Sequence, residues 1–192
     1  MKSIRFVSVV ALLLLSACLT NPKPIGVAES VEAAAWEGVW KMESSQTHES
    51  YGHFRVTSVD PEEGQFTAHV SDAGGNVAAE NASDDRSFAL HLRRVGDQLF
   101  LTYPADEDGN WVVLPVAELS PGRIVICFQP NEDAFEARID DGTFKAKTQR
   151  TGNLSMVAFD ALSEDEIDFL SKHLDELYLP DRTLLTRVAP AN

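Results

Sequence analysis

Residues 87–103 read Ser-Phe-Ala-Leu-His-Leu-Arg-Arg-Val-Gly-Asp-Gln-Leu-Phe-Leu-Thr-Tyr. Phe88, Leu90 and Leu92 alternate with His91 and Arg93, and beyond Gly96-Asp97 the alternation resumes at Leu99, Leu101 and Tyr103. Successive side chains on a strand point to opposite faces, so a period of two gathers the apolar set on one face and the polar set on the other. Gly-Asp between two such runs is turn chemistry that suits a hairpin. The stretch therefore predicts two antiparallel strands, packed on one face and wet on the other.

The same period recurs on both sides. Phe54 and Val56 share a face, as do Phe66, Ala68 and Val70, then Phe135, Ala137 and Ile139, then Phe144 and Ala146. Their alternates are polar: His53, Arg55, Thr67, His69, Glu136, Arg138, Lys145 and Lys147. Turn signals separate the runs at Asp60 to Gly64, Asp72 to Asn76, Asp106 to Asn110, Ser120 to Gly122 and Asp140 to Thr143. Trp111 to Leu114 and Ile124 to Phe128 are continuously apolar, so either both of their faces are covered or one is an edge, and Pro115 favours an edge or a bulge for the first. With runs near Val39 to Met42 and Leu154 to Phe159, the pattern predicts about ten strands.

One helix is marked. Ser163 with Glu166 three residues on is a capping box, Glu164 and Asp165 suit the positive helix start, and Ile167, Leu170, Leu174 and Leu177 form a stripe. It should run from Glu164 to about Tyr178 and stop before Pro180, with Thr183 to Val188 as a short last strand. A sheet of this size hides its apolar face by closing or stacking. The fold expected is mainly β: an antiparallel up-and-down barrel or a two-layer sheet, with one C-terminal helix packed outside.

Composition excludes several partners. The chain carries 16 Lys plus Arg against 30 Asp plus Glu, a net charge of −14, which repels nucleic acid and anionic surfaces. The chain of 192 residues holds one domain, residues 36–192, with a core large enough to stand alone. Residues 19–35 hold Pro22, Pro24 and Gly26 among small and acidic residues, the composition of a flexible tether. No repeat of solenoid period occurs.

The first residues carry an address. Lys2 and Arg5 precede an apolar run from Phe6 to Leu15, the length of a signal segment rather than the ~20 residues of a spanning helix. Leu15-Ser16-Ala17-Cys18 follows, which resembles the lipobox of bacterial lipoproteins. That resemblance implies cleavage between Ala17 and Cys18, residues 1–17 as signal peptide, and diacylglyceryl and palmitate chains on Cys18. Leu19 is not the Asp that retains enteric lipoproteins on the inner membrane, so the implied location is the outer membrane, with the domain in the periplasm. Two or three acyl chains hold a protein on a bilayer almost permanently. With Cys18 used for lipid, Cys127 is the only other cysteine and no intrachain disulfide forms.

A second resemblance concerns the domain. Gly38-Val39-Trp40 is similar to the Gly-x-Trp that opens the lipocalin barrel, and lipocalins also end with a helix followed by one short strand. Some bacterial lipocalins are outer-membrane lipoproteins. The family's second motif, Thr-Asp-x-Tyr, is not present, since Thr102-Tyr103 lacks the Asp. Arg150 is similar in place to the arginine with which that family covers its tryptophan, although a further strand intervenes before the helix.

Motifs for chemistry are sparse. His48 to His53 departs from His-Glu-x-x-His by one residue, and Gly52 breaks the helix that such a zinc site needs, so these read as solvated loop histidines. Asp106 to Asn110 lacks the downstream Glu of a calcium loop. Cys127 between Ile126 and Phe128 reads as buried and unreactive. No nucleophile elbow, Walker loop or dinucleotide fingerprint occurs, so no catalytic residue, metal or cofactor is assigned and an enzyme ranks third among the function classes. Two classes stand ahead of it. One is a binding module whose apolar interior, with Trp40, Phe54, Phe66 and Phe88 at the cavity, takes a small hydrophobic or lipid-like ligand. The other is an envelope interaction protein with a solid core that docks a partner by an edge strand or an acidic face.

Overall fold

The computed structural model describes residues 19–71, 87–105, 109–151 and 154–188. Ala17 and Cys18, the turn at Asp72 to Asn76 and the residues Asp106 to Asp108 lie outside them. In chain order the elements are β1 (Leu19–Asn21), β2 (Val27–Ala28), α1 (Ala33–Trp36), β3 (Gly38–Ser44), β4 (Ser50–Asp60), β5 (Gln65–Ser71), β6 (Ser87–Val95), β7 (Gln98–Pro104), β8 (Trp111–Ser120) and β9 (Arg123–Ile126). They continue with α2 (Glu132–Asp140), β10 (Ala146–Thr151), β11 (Leu154–Phe159), α3 (Glu164–Lys172), α4 (Leu174–Leu177) and β12 (Thr183–Arg187).

Seven strands in succession, β3 to β9, each pair antiparallel with the next. β12 then enters antiparallel between β9 and β3 and closes the ring. The chain is therefore mainly β with an eight-stranded antiparallel barrel, and of barrel and sandwich the barrel is what forms. Closure leaves these strands without an edge. The arrangement is consistent with a lipocalin-like barrel, with one difference in the order of elements: the strand after the terminal helices is itself the eighth stave. Trp40, Met42, Phe54, Val56, Phe66, Ala68, Leu90, Leu92 and Leu101 point inward with the apolar alternates of β8, β9 and β12.

A second layer grows from β8. Residues Trp111 to Val113 pair with β1, while Val116 to Ser120 pair with β9. Cys127 N–H donates to Pro115 O at 2.9 Å where the partners change. β1 runs parallel to β11, and β11 antiparallel to β10, so three strands extend from the barrel wall as a flange. Phe100, Val113 and Cys127 face out of the barrel into a second core shared with Leu19, Phe135, Phe144, Val157, Phe159, Leu170 and Leu177. This explains the continuous apolar run in β8: both faces are covered, and the ladder slips between Val116 and Glu118, just beyond the proline.

Four expectations are corrected. Phe135, Ala137 and Ile139 lie on a helix, α2, and Asp140 to Thr143 end that helix instead of turning a hairpin. The run has period two, but Phe135 and Ile139 are also four apart, with Glu132 and Asp133 in the first turn, Arg138 in the last and Gly142 at φ +81 beyond it. Those are helix signals, and they outweigh the alternation. Residues 19–35 are no tether: Leu19 is fully buried between β8 and β11, Ile25 is buried, and residues 29–36 cross one end of the barrel. The terminal helix is two pieces, because His173 (φ −121, ψ 27) interrupts it. Phe144 precedes β10 in coil rather than opening a strand.

Candidate ligand cavity of the barrel

One end of the barrel is closed. Glu29 N–H donates to Leu92 O and Val31 N–H to Pro61 O, which ties the chain under the staves, and the Glu29–Arg94 ion pair (2.6 Å) fastens it. Hydrogen bonds from the arginine hold the Glu29 carboxyl below the usual carboxylate range, against a smaller opposing effect of burial. The chain approaches so closely that a side chain at Gly64 would begin 2.2 Å from Glu29 O, and the backbone there sits at φ +56. α1 then places Trp36 as the plug. Its ring stacks on Phe66 with centroids 4.2 Å apart, and its carbonyl accepts from Trp40 Nε1 at 2.7 Å.

An aromatic ladder rises from that plug: Trp36 to Trp40 (5.8 Å), Trp40 to Phe54 (6.4 Å, nearly parallel) and Phe54 to Phe88 (6.5 Å). The free space lies at its far end. A cavity of about 30 Å³ is walled by Phe54 and Phe88 with Met42, Leu90, Leu101 and Tyr103, and closed behind by Leu114, Ile126 and Leu185. Of the four aromatics assigned to a cavity from sequence, Phe54 and Phe88 wall it, whereas Trp40 and Phe66 belong to the closed end. Trp111 lies outside the barrel, its ring edge-on to His91 at 5.2 Å. A void of this size and lining is dry and holds no more than a very small apolar group, far below the ~300 Å³ or more of ordinary ligand pockets.

The rim at the open end is polar and fixed. Ser44 Oγ donates to the Asp181 carboxylate (2.9 Å) and accepts from Thr47 N–H (2.9 Å), which pins the β3–β4 hairpin to the entry of β12. Beside it, burial pushes the Tyr51 hydroxyl above its ordinary range, partly offset by its hydrogen bond with Ser44.

The remaining sequence candidates take these places. His48 sits in the β3–β4 hairpin at φ +58 and His53 on β4, and among the described residues no group of three or more His, Cys, Asp or Glu is placed to hold a metal. Cys127 is buried in the second core, and loss of hydration drives its thiol up to about 11, a nucleophile neither charged nor reachable near neutral pH. The arginine next to the Gly-x-Trp motif is Arg187. It stands opposite Trp40 in the β12–β3 register, donates from Nη1 to Ala34 O (2.8 Å), and its Nε would lie 3.2 Å from a side chain at Gly38. Sequence reasoning missed it because the last strand was not read as a barrel stave; Arg150 is on β10 in the flange. The glycine of the motif is thus the space that the guanidinium occupies. Comparison with known proteins adds no further constraint: no family model, curated protein or solved structure matches this chain.

Proposed function

We propose that the chain is a membrane-anchored, non-catalytic binding module whose barrel admits a small apolar group, such as the end of an alkyl chain, at the end away from Trp36. One observation carries the reading: the unfilled interior space lies at one end, behind apolar walls, while the other end is plugged by Trp36 stacked on Phe66 and by a crossing strap. A barrel built only for stability gains nothing from a void, since each missing contact forfeits dispersion energy. Larger lipid-like ligands require Phe88 or Tyr103 to swing aside. Anchoring is read from residues 2–18, with Cys18 as the acylated residue; no described helix is long and apolar enough to cross a membrane. Because β1 begins at the next residue, a lipid on Cys18 holds the barrel close to the bilayer, in this reading the outer membrane facing the periplasm.

A solid-core envelope protein that docks a partner is the second reading, and the smallness of the cavity favours it. Native mass spectrometry of the protein extracted from membranes in mild detergent separates the two. A co-purified small amphiphile, lost in Leu101→Trp, which fills the void, supports binding. A clean mass, together with no displacement of a fluorescent apolar probe by fatty acids, supports the packed core. Palmitate labelling that persists in Cys18→Ser sinks the anchoring.

A further inference from the structure

We propose that the outer wall of β3, β4 and β5 carries a binding site for a phosphoryl group, organised by Arg55. The face is fixed by the pleat: Phe54, Val56, Phe66 and Ala68 are buried inside, so His53, Arg55 and His69 point out. The registers place Lys41 opposite His53 and Arg55 opposite His69. The registers thus gather two cations and two imidazoles in one block that steps across three strands, in a chain that carries 30 carboxylates.

Arg55 is also exceptional among the arginines whose side chains are described. Arg94, Arg123, Arg138 and Arg182 each hold a carboxylate, and Arg93 and Arg187 each hold a backbone carbonyl. Arg55 holds neither among the described residues, and its Nε is buried without a partner. The same is true of the Nδ1 atoms of His53 and His69, the latter fixed by a 3.1 Å contact between its Nε2 and Thr57 Oγ1. Lys41 is already engaged by Glu43, so that carboxylate does not serve Arg55. A half-buried guanidinium with an orphan donor, backed by two imidazoles, lacks an acceptor with several oxygens. A phosphoryl group supplies one, because its oxygens match the planar fork and its charge offsets the block. Local rules broken without a compensating contact in the fold are where function is expected.

His53 also lines the cavity, whereas Arg55 and His69 are not among its walls, so the site is tested at Arg55. Full-length protein carrying Cys18→Ser, so that no acyl chain can float it, is titrated with inorganic phosphate by calorimetry and imidazole nitrogen-15 shifts, and is floated with phosphatidylcholine vesicles with and without phosphatidylglycerol. Saturable phosphate binding that moves the His69 resonances, weakened at least about tenfold in Arg55→Gln and less than about twofold in Arg123→Gln, is the expected result. Arg55→Lys, which keeps the charge and loses the fork, falls between. Arg55-dependent flotation with phosphatidylglycerol identifies a lipid headgroup as the source, and binding of free phosphate alone identifies a soluble phosphate ester. No saturable binding, equal loss in both glutamine variants, or wild-type binding in Arg55→Lys overturns the site.

Discussion

The two cores of this molecule use similar residues under different rules. Inside the barrel each stave contributes every second residue, the aromatic rings follow one another in a single file from Trp36 to Phe88, and the file ends before the space does. In the flange the rings close on one another. Phe144 touches Phe135, Phe159 and Phe169 with centroids 5.4 to 5.6 Å apart, and Phe135 meets Tyr178 edge-on at 5.8 Å. A barrel wall dictates where its inward side chains start, so volume is matched only on average. Helices and short strands laid on an open wall can shift until every ring has a neighbour. The difference teaches that the closed sheet sets shape and leaves slack, whereas the added layer takes up slack.

Truncation in the added layer is therefore the largest effect expected. Phe144→Ala removes a ring that is 2% exposed and shared by three others, and should cost about 3–5 kcal/mol in urea unfolding. A cost under about 1 kcal/mol would mean that the flange is not a cooperative part of the domain. Enlargement should separate the cores by sign as well as size. Leu170→Phe, at a 1% exposed site in the second core, should cost about 1–3 kcal/mol through overpacking. Leu101→Phe, at the cavity wall, should change stability by less than about 1 kcal/mol, since the ring has the void to enter. If the two substitutions cost the same, the contrast between the cores fails.

What was legible in the sequence follows the same division. The staves could be read because alternation has one physical cause, an inside and an outside, and Phe54, Phe66, Leu90 and Leu101 all obey it. The continuous run at Trp111 to Leu114 left open a strand covered on both faces or an edge; both faces are covered, and of the edge or bulge that Pro115 favours it is a bulge, just beyond it, that forms. The cover itself was illegible. Leu19 to Asn21 contributes a buried strand from only three residues, too few to show a period, and Pro22, Pro24 and Gly26 after it read as a linker because they turn a chain that wraps a surface. Phe135 to Ile139 satisfies both periods at once. At the candidate cavity, sequence supplied the aromatic residues but not their order along the barrel axis, which is set by register. Hence the pattern groups Trp40 and Phe66 with Phe54 and Phe88, although the first two belong to the closed end and the second two wall the cavity.

The capping box of α3 gives a smaller effect whose size depends on pH. Burial raises the Glu166 pKa, but three hydrogen bonds outweigh it, from Ser163 Oγ (2.7 Å), Lys145 N–H (2.7 Å) and Ser163 N–H (2.8 Å), and the carboxyl titrates below the ordinary glutamate range. A group whose folded pKa is depressed contributes stability that is complete above its unfolded pKa and is lost as pH falls through the folded value. Glu166→Gln should therefore cost about 1–2 kcal/mol at neutral pH and progressively less below about pH 4.5. Urea midpoints of both proteins across that range test it. A gap that stays constant down to about pH 3 means that the carboxylate form is not what the hydrogen bonds hold.

The smallest effect is expected on the opposite face of the same helix. Asp168 lies two residues before Leu170 and points to solvent, with its side chain 61% exposed and an ion pair to Lys172, itself 66% exposed. Exposed pairs of this spacing contribute little, because water screens the attraction and two long side chains must be held still. Asp168→Ala should therefore change stability by about 0.5 kcal/mol or less. Leu170→Ala, on the packed face, should cost about 2–5 kcal/mol. The comparison isolates docking, because both substitutions put alanine, the best helix former, into the same turn, and intrinsic helicity shifts the same way in each. A helix as short as α3 has no stability of its own in water, so the whole difference must come from contact with the second core. Urea midpoints that place Leu170→Ala no lower than Asp168→Ala would show α3 undocked in solution, and with it the layer that covers Phe100 and Val113 on the barrel's outer wall.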